Sequence, residues 1–257
     1  MGTFYNRSAY WHLLWEMTRC EFKLRDQGTF LGFLWTLFQP AILFTVLYQL
    51  FTKWMGKFVV NYPFYMIIGL VQWGFFATAT SNALSSLHRK AGLIQNFKFP
   101  KEIVIFSSVG VILWSHLLEI LVLLLLLLLL TKTIFWTWIY LPVLIAIEVL
   151  WVLGISFFLA RFAVEYRDVE RAWGILTQVG FFLVPVFYPL QIIAEGKRFW
   201  LMLNPLVHIM DGMRACLLRS QVPPTWVVSA LILGGFALSA YALRWFRLRE
   251  GNIADHL

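Results

Sequence analysis

Six long segments almost free of charge constrain this chain more than any other feature. They cover residues 27–52, 58–88, 103–131, 133–160, 172–194 and 220–243, each 23 to 31 residues long and none holding more than one Asp, Glu, Lys or Arg. A helix needs about 20 apolar residues to cross a hydrocarbon layer about 30 Å thick. Each segment is long enough. The chain as a whole is 60% hydrophobic with a mean hydropathy of +0.74, and only 13% charged, where a soluble domain carries about a quarter. A core of this size cannot bury that much apolar surface, so lipid must solvate the rest. The expected fold is therefore an all-α integral membrane protein. Its six transmembrane helices fall at about 28–52, 63–83, 103–131, 138–160, 172–193 and 225–243, within a membrane domain of 28–247. An N-terminal segment, 1–27, precedes it and a tail, 248–257, follows.

Six crossings place both termini on one side, and the distribution of Lys and Arg chooses the side. The N-terminal segment, the loop after span two, the loop after span four and the tail together hold fourteen cations, against seven in the opposite loops. Both termini are accordingly expected in the cytoplasm. The net charge of +8 is thus a label of topology and not a nucleic-acid footprint.

Three segments outside the spans carry pattern of their own. Over residues 9–27, His12, Glu16, Arg19, Lys23 and Asp26 form a polar stripe, while Trp11, Leu14, Trp15, Thr18 and Phe22 form an aromatic-rich one. Such a helix is expected to lie in the membrane interface, anchoring the chain or docking a cytoplasmic partner. Over 84–101, Leu84, Leu87, Ala91 and Ile94 recur at helical spacing until Phe97, Lys98, Phe99 and Pro100 end the pattern. Over 185–224 the prolines punctuate a stretch too apolar for a free loop, and short broken helices dipping into the outer leaflet are expected. The leucine run 123–130 is expected to face lipid.

Catalytic signatures are missing from the sequence. Gly56-Lys57 precedes Phe58 and Gly196-Lys197 precedes Arg198, so neither is a phosphate-binding loop. No HExxH or paired-cysteine spacing offers a metal site. Cys20 and Cys216 cannot make a disulfide framework. Three ionisable side chains fall inside spans: His116 and Glu119, three apart on one helix face, and Glu148 on the next helix. Their position in lipid makes them functional candidates by default. An interhelical hydrogen bond is the competing reading, and the one expected here.

Several stretches resemble one family. GTFLGFLWTLFQP over 28–40, GLIQNFKFPKE over 92–102, Arg167-Asp168, Pro189, and Asn204-Pro205 followed by His208 and Arg214 occur in the order and spacing found in permease subunits of type 2 ABC exporters. The resemblance is to the branch that exports polysaccharides such as O-antigen, capsule or teichoic acid, and it covers nearly the whole chain.

The resemblance implies a homodimer of this subunit in the bacterial cytoplasmic membrane, with two ABC ATPase subunits docked below it. The chain itself would then be no enzyme and hold no cofactor, with ATP and Mg bound by the ATPase. Leu93, Ile94, Phe97, Phe99, Pro100 and Lys101 would form the ATPase-coupling surface, supported by Arg167 and Asp168 and by the interfacial helix with Trp11, Trp15, Arg19, Phe22 and Lys23. The cargo would be a lipid-linked polysaccharide. Sugar rings stack their C–H faces on aromatic rings, and aromatics make up 18% of the chain. Candidates for the substrate path are Phe30, Phe33, Trp35, Phe38 and Tyr48 in span one, Trp73 in span two, and Phe181, Phe187 and Tyr188 at span five. An exporter of drugs or other lipids shares every one of these features except the cargo, and a six-span membrane enzyme is the more distant alternative.

Overall fold

The computed structural model describes residues 7–25, 32 and 34–253. Among them all regular structure is helical, in the order α1 (Arg7–Arg25), α2 (Leu34–Met55), α3 (Tyr62–Arg89), α4 (Ala91–Asn96), α5 (Glu102–Thr131), α6 (Leu141–Glu165), α7 (Asp168–Leu183), α8 (Glu195–Met202), α9 (Pro205–Leu218) and α10 (Thr225–Leu248). Short 3₁₀ turns over Trp136–Tyr140, Leu190–Ile192 and Glu250–Asn252 join or end them. Phe30 and Phe33, and the boundary at residue 28, lie outside the described residues.

Among the described residues five helices are long and apolar enough to cross a bilayer: α2, α3, α5, α6 with its 3₁₀ lead-in, and α10. The fifth predicted span behaves differently. Its helix, α7, is 16 residues long, about 24 Å at 1.5 Å per residue. It stops where Val184 takes an extended conformation just before Pro185, a proline that disfavours helix in the residue ahead of it. Residues 184–189 then turn back toward α3, and two shorter helices, α8 and α9, follow within the proline-punctuated stretch.

Helix α3 is the hub, packed against α2, α5, α6, α7 and α9. Lipid tails are as apolar as leucine, so helices associate through close packing rather than by escaping solvent. Ala79 and Ala83, fully buried one turn apart on α3, permit that closeness. The α6–α10 pair uses the same device, with Gly234 and Gly235 beneath the Trp151 ring, whose Nε1 donates to the Leu231 carbonyl at 3.1 Å. The leucine run divides: Leu123 and Leu127, four apart, are buried, while Leu125, Leu129 and Leu130 are exposed. Helical period, not composition, decides which leucines meet lipid.

Helix α1 does not lie apart from the bundle. It leans along the first half of α5, with Thr18 against Gly110, Glu21 accepting from Ser107 Oγ at 2.8 Å, and Arg25 donating to Ser115 Oγ at 2.6 Å. Lys90 closes an ion pair with Glu21. At one end the bundle carries α4, the α6–α7 corner and the C-terminal 3₁₀ turn. The α2–α3 corner, the Trp136–Tyr140 turn and residues 184–224 form the other.

Candidate functional site

A cavity of about 550 Å³ opens between α2, α3, α5 and α7. Its walls differ in chemistry. Trp73 and Phe75 of α3 with Phe181 and Phe182 of α7 supply rings, whereas Thr36 and Gln39 of α2, Thr78 of α3, Ser115, His116 and Glu119 of α5, and Thr177 and Gln178 of α7 supply hydrogen-bonding groups, with Arg25 at the rim. The rings continue beyond the cavity as a ladder along the α3–α7 seam. Centroids step from Trp173 to Phe76 at 6.1 Å, Phe76 to Trp73 at 5.5 Å, Trp73 to Phe181 at 6.4 Å, Phe181 to Phe187 at 5.8 Å and Phe187 to Phe51 at 4.8 Å. All lie within the range of favourable edge or offset contact.

The nine sequence-predicted path residues therefore separate. Trp73 and Phe181 line the cavity. Phe187 belongs to the ladder but is buried and does not line the cavity. Tyr188 is bound into the turned stretch, its hydroxyl donating to the carbonyls of Phe182 and Leu183 at 3.0 and 2.8 Å. Trp35 and Phe38 are exposed on α2, edge to face with each other at 6.3 Å, because the α2 face turned to the cavity carries Thr36, Gln39, Pro40 and Leu43 instead. Tyr48 stacks on Phe44 at 5.5 Å, away from the cavity lining.

The intramembrane polar residues come together as their spacing suggested. His116 Nδ1 lies 3.9 Å from Glu119 and its Nε2 4.0 Å from Glu148. Both distances exceed a hydrogen bond, so the expected interhelical bond is not formed. His116 is instead stacked on Phe75, centroids 4.4 Å apart. Glu148 is completely buried, and neither of its oxygens has a hydrogen-bond partner among the described residues. Only His116 and Glu119 reach the cavity lining.

At the bundle end bearing residues 184–224, Arg214 of α9 acts as a clamp. Its Nε donates to the Tyr65 carbonyl at 3.1 Å, Nη1 to that of Pro185 at 2.9 Å and Nη2 to that of Val186 at 2.7 Å, and its guanidinium lies 3.5 Å over the Tyr65 ring. The planar five-donor fork suits this task as no ammonium would. Tyr62 adds a bond from its hydroxyl to the Phe187 carbonyl at 2.7 Å, and Tyr65 one to Tyr188 at 3.1 Å. Gly69 gives the room: a Cβ there would collide with the Val186 oxygen and with Arg214 Nη2. Asn204 caps α9, accepting from the Leu206 N–H at 3.0 Å, and Pro205 sits at its first turn. His208 meets the Met202 carbonyl at 2.6 Å.

At the opposite end lies the loop expected to meet an ATPase. Leu93 is exposed and Phe97 strongly so, whereas Ile94 is only 3% exposed. That corrects Ile94 as a surface residue: on a helix of six residues the inward position is the one that packs, and Ile94 anchors α4 so that its neighbours can face out. Phe99, Pro100 and Lys101 are half-buried. Arg167 and Asp168 are exposed where α7 begins, and Asp168 and Glu170 in the first turn complement the helix dipole. On α1, Trp11 and Trp15 are exposed, Phe22 packs toward the core, and Arg19 and Lys23 point outward.

Glu21, Lys90 and Ser107 were not singled out by the sequence, and neither were Arg247 and Glu250 of the last turns. Each is a charge or hydroxyl whose partner lies on a distant helix, and no local spacing encodes that. Trp173 of the ladder was missed too, hidden among charged neighbours.

Comparison with known proteins gives a consistent picture. Residues 12–218 match the ABC-2 type transporter family. The chain is 29% identical over 247 residues to the O-antigen export system permease protein RfbA of Myxococcus xanthus, with 95% of each chain covered. To the protein of the same name from Klebsiella pneumoniae it is 25% identical over 256 residues, 98% of each. The polysialic acid transport protein KpsM of Escherichia coli is 22% identical over 218 residues, 81% of this chain and 80% of that one.

Proposed function

Because the chain belongs to the ABC-2 type transporter family, we propose that it is the permease subunit of an exporter moving a lipid-linked polysaccharide across the bacterial cytoplasmic membrane. The observation that carries this reading is the two-sided cavity: rings for the C–H faces of sugars, and amides and hydroxyls for their oxygens. The chain in which it occurs is similar from end to end to O-antigen export permeases. Stacking of this kind does not read each sugar individually, which suits a polymer that must slide. Two copies form the channel, and two separate ATPase subunits, which bind ATP and Mg, drive it. Both termini lie in the cytoplasm, so the Leu93–Phe97 face meets the ATPase and residues 184–224 face the outside. There α7 and the turned stretch after it complete the sixth crossing.

The test is reconstitution of the purified complex with its ATPase and measurement of ATP hydrolysis with and without lipid-linked glycan. Glycan should stimulate hydrolysis, and joint replacement of Trp73 and Phe181 by Ala should remove the stimulation while leaving the basal rate. Stimulation by an unglycosylated lipid or a drug to the same extent would move the cargo to another class.

A further inference from the structure

Beside the coupling loop, the Glu250–Asn252 turn that follows α10 is fastened to the start of α5. Glu250 Oε1 accepts from the Lys101 backbone N–H at 2.7 Å, and the Glu250 carbonyl accepts from Lys101 Nζ at 2.9 Å. One residue on, Glu102, the first residue of α5, takes two bonds on one oxygen from Arg247, at 3.0 Å from Nε and 2.8 Å from Nη2. Glu102 is 3% exposed and its second oxygen has no partner among the described residues. Its charge therefore depends on Arg247, because a buried carboxylate without a cation is strongly destabilising. Tyr10 of α1 joins the same group through Arg247, and burial, reinforced by the neighbouring Glu102, pushes its phenol up to about 12. Phe246 and Ile253, on either side of the ion pairs, are fully buried, so this end is seated in the bundle.

The placement matters because Lys101 and Glu102 directly follow Phe97–Pro100. A push on the exposed Leu93 and Phe97 passes along the chain into α5. It also passes, through Lys101–Glu250 and Glu102–Arg247, into α10, which packs along α6. Helix α10 otherwise touches α5 only slightly, so those bonds are its main direct tie to the loop. We propose that the C-terminal turn is a coupling element: Glu250 and Arg247 are positioning residues that lock the loop to α10, so that α5, α10 and α6 move as one body under the ATPase. The proposal rests on the reading of that loop as the ATPase contact.

The experiment uses the complete complex of permease and ATPase in vesicles, and reads ATP hydrolysed per glycan exported. Glu250→Ala removes the acceptor for the Lys101 amide, and Arg247→Met removes the cation from Glu102. Each should raise the ratio several-fold while ATPase assembly is retained, and Glu250→Gln and Arg247→Lys, which keep an acceptor and a cation, should restore it. A ratio equal to the parent's in both Glu250→Ala and Arg247→Met, or export and hydrolysis falling in equal proportion, overturns the proposal. Hydrogen exchange on the unmutated complex decides independently of any folding defect. The Lys101 amide must stay protected both without nucleotide and when trapped with vanadate, and free exchange in either state overturns the proposal. Leu93→Asp with Phe97→Asp separates the two levels. If that pair leaves the ratio untouched, the loop is not the ATPase contact; if it uncouples and Glu250→Ala does not, only the lock is lost.

Discussion

Replacing Arg214 by Met tests whether one guanidinium holds the turned stretch after α7 in place. Three carbonyls, those of Tyr65, Pro185 and Val186, lose their donor together. A hydrogen bond from a charged group contributes about 1.5–3 kcal/mol, and a buried carbonyl left without a partner costs about 1–3 kcal/mol. These terms do not add in full, because the Tyr62 and Tyr65 hydroxyls still hold Phe187 and Tyr188. Removing a cation that is only 2% exposed also relieves its desolvation. The net loss expected is about 3–5 kcal/mol, the usual cost of deleting one side of a buried charged contact. At about 2–4 °C per kcal/mol for a chain of this size, the melting temperature should fall by about 6–20 °C. The protein supplies its own reporter. Cys216 is fully buried two residues away on α9, while Cys20 is exposed, so thermal release of Cys216 to a thiol-reactive dye in detergent follows the loosening of this region directly. Arg214→Lys should fall between the two, since an ammonium cannot reach three divergent carbonyls. A midpoint for Arg214→Met within about 2 °C of the parent, with Cys216 equally protected, would refute the clamp.

Three further outcomes follow. Glu148→Gln should fold as well as the parent or better, because it removes a fully buried carboxyl that has no hydrogen-bond partner among the described residues; a loss above about 2 kcal/mol in the same dye assay would mean that the charge is used. Ile94→Asp should disorder α4 and abolish ATPase binding, whereas Phe97→Asp at an exposed site should leave insertion and expression intact, and similar loss of expression in both would contradict the inward seat of Ile94. Burial, with the Glu102 charge behind it, pushes Glu250 above the ordinary carboxyl range, against the pull of the Lys101 N–H. A raised pKa in the folded state means that protonation favours that state, so this group's contribution should increase as pH falls through the raised value toward about 4.3, its unfolded one. The unfolding midpoint in the dye assay, compared between parent and Glu250→Gln across that window, checks the sign: the parent alone should gain stability as pH falls, and a loss would reverse the argument.

Five of the six expected spans coincide with helices long and apolar enough to cross a bilayer among the described residues, legible because charge is expensive in lipid and marks the ends of helices by itself. Their lengths were less so: α3 runs on to Arg89, well past residue 83, so that Leu84 and Leu87, read from the sequence as part of a separate helical segment, bury against the bundle as its last turns. The exposed Phe97 and the inward Ile94 carry the same apolar label in sequence, and only the seat of α4 against the bundle separates them. His116, Glu119 and Glu148 were found because ionisable residues are rare in such segments, yet their separation of about one van der Waals contact rather than a hydrogen bond depends on how Phe75 fills the space. Arg214 was visible only through resemblance, since a lone arginine in a segment between spans has no pattern that announces three carbonyl partners.

Two walls of the cavity, α2 and α7, are far less packed than α3 and α5; none of the 16 residues of α7 is buried. Of the 22 residues in α2, Leu47 alone is buried, and the helix contains Pro40 at the cavity face, where the missing N–H removes a bond from the helix ladder. The adjoining wall is α3, the most deeply packed of the helices long enough to span. A chamber with stiff and compliant sides changes its bore when a soft side is pressed. Its width therefore answers to whatever leans on α2 and α7 from outside, lipid or protein, and the caliber of the chamber is not fixed by this chain alone.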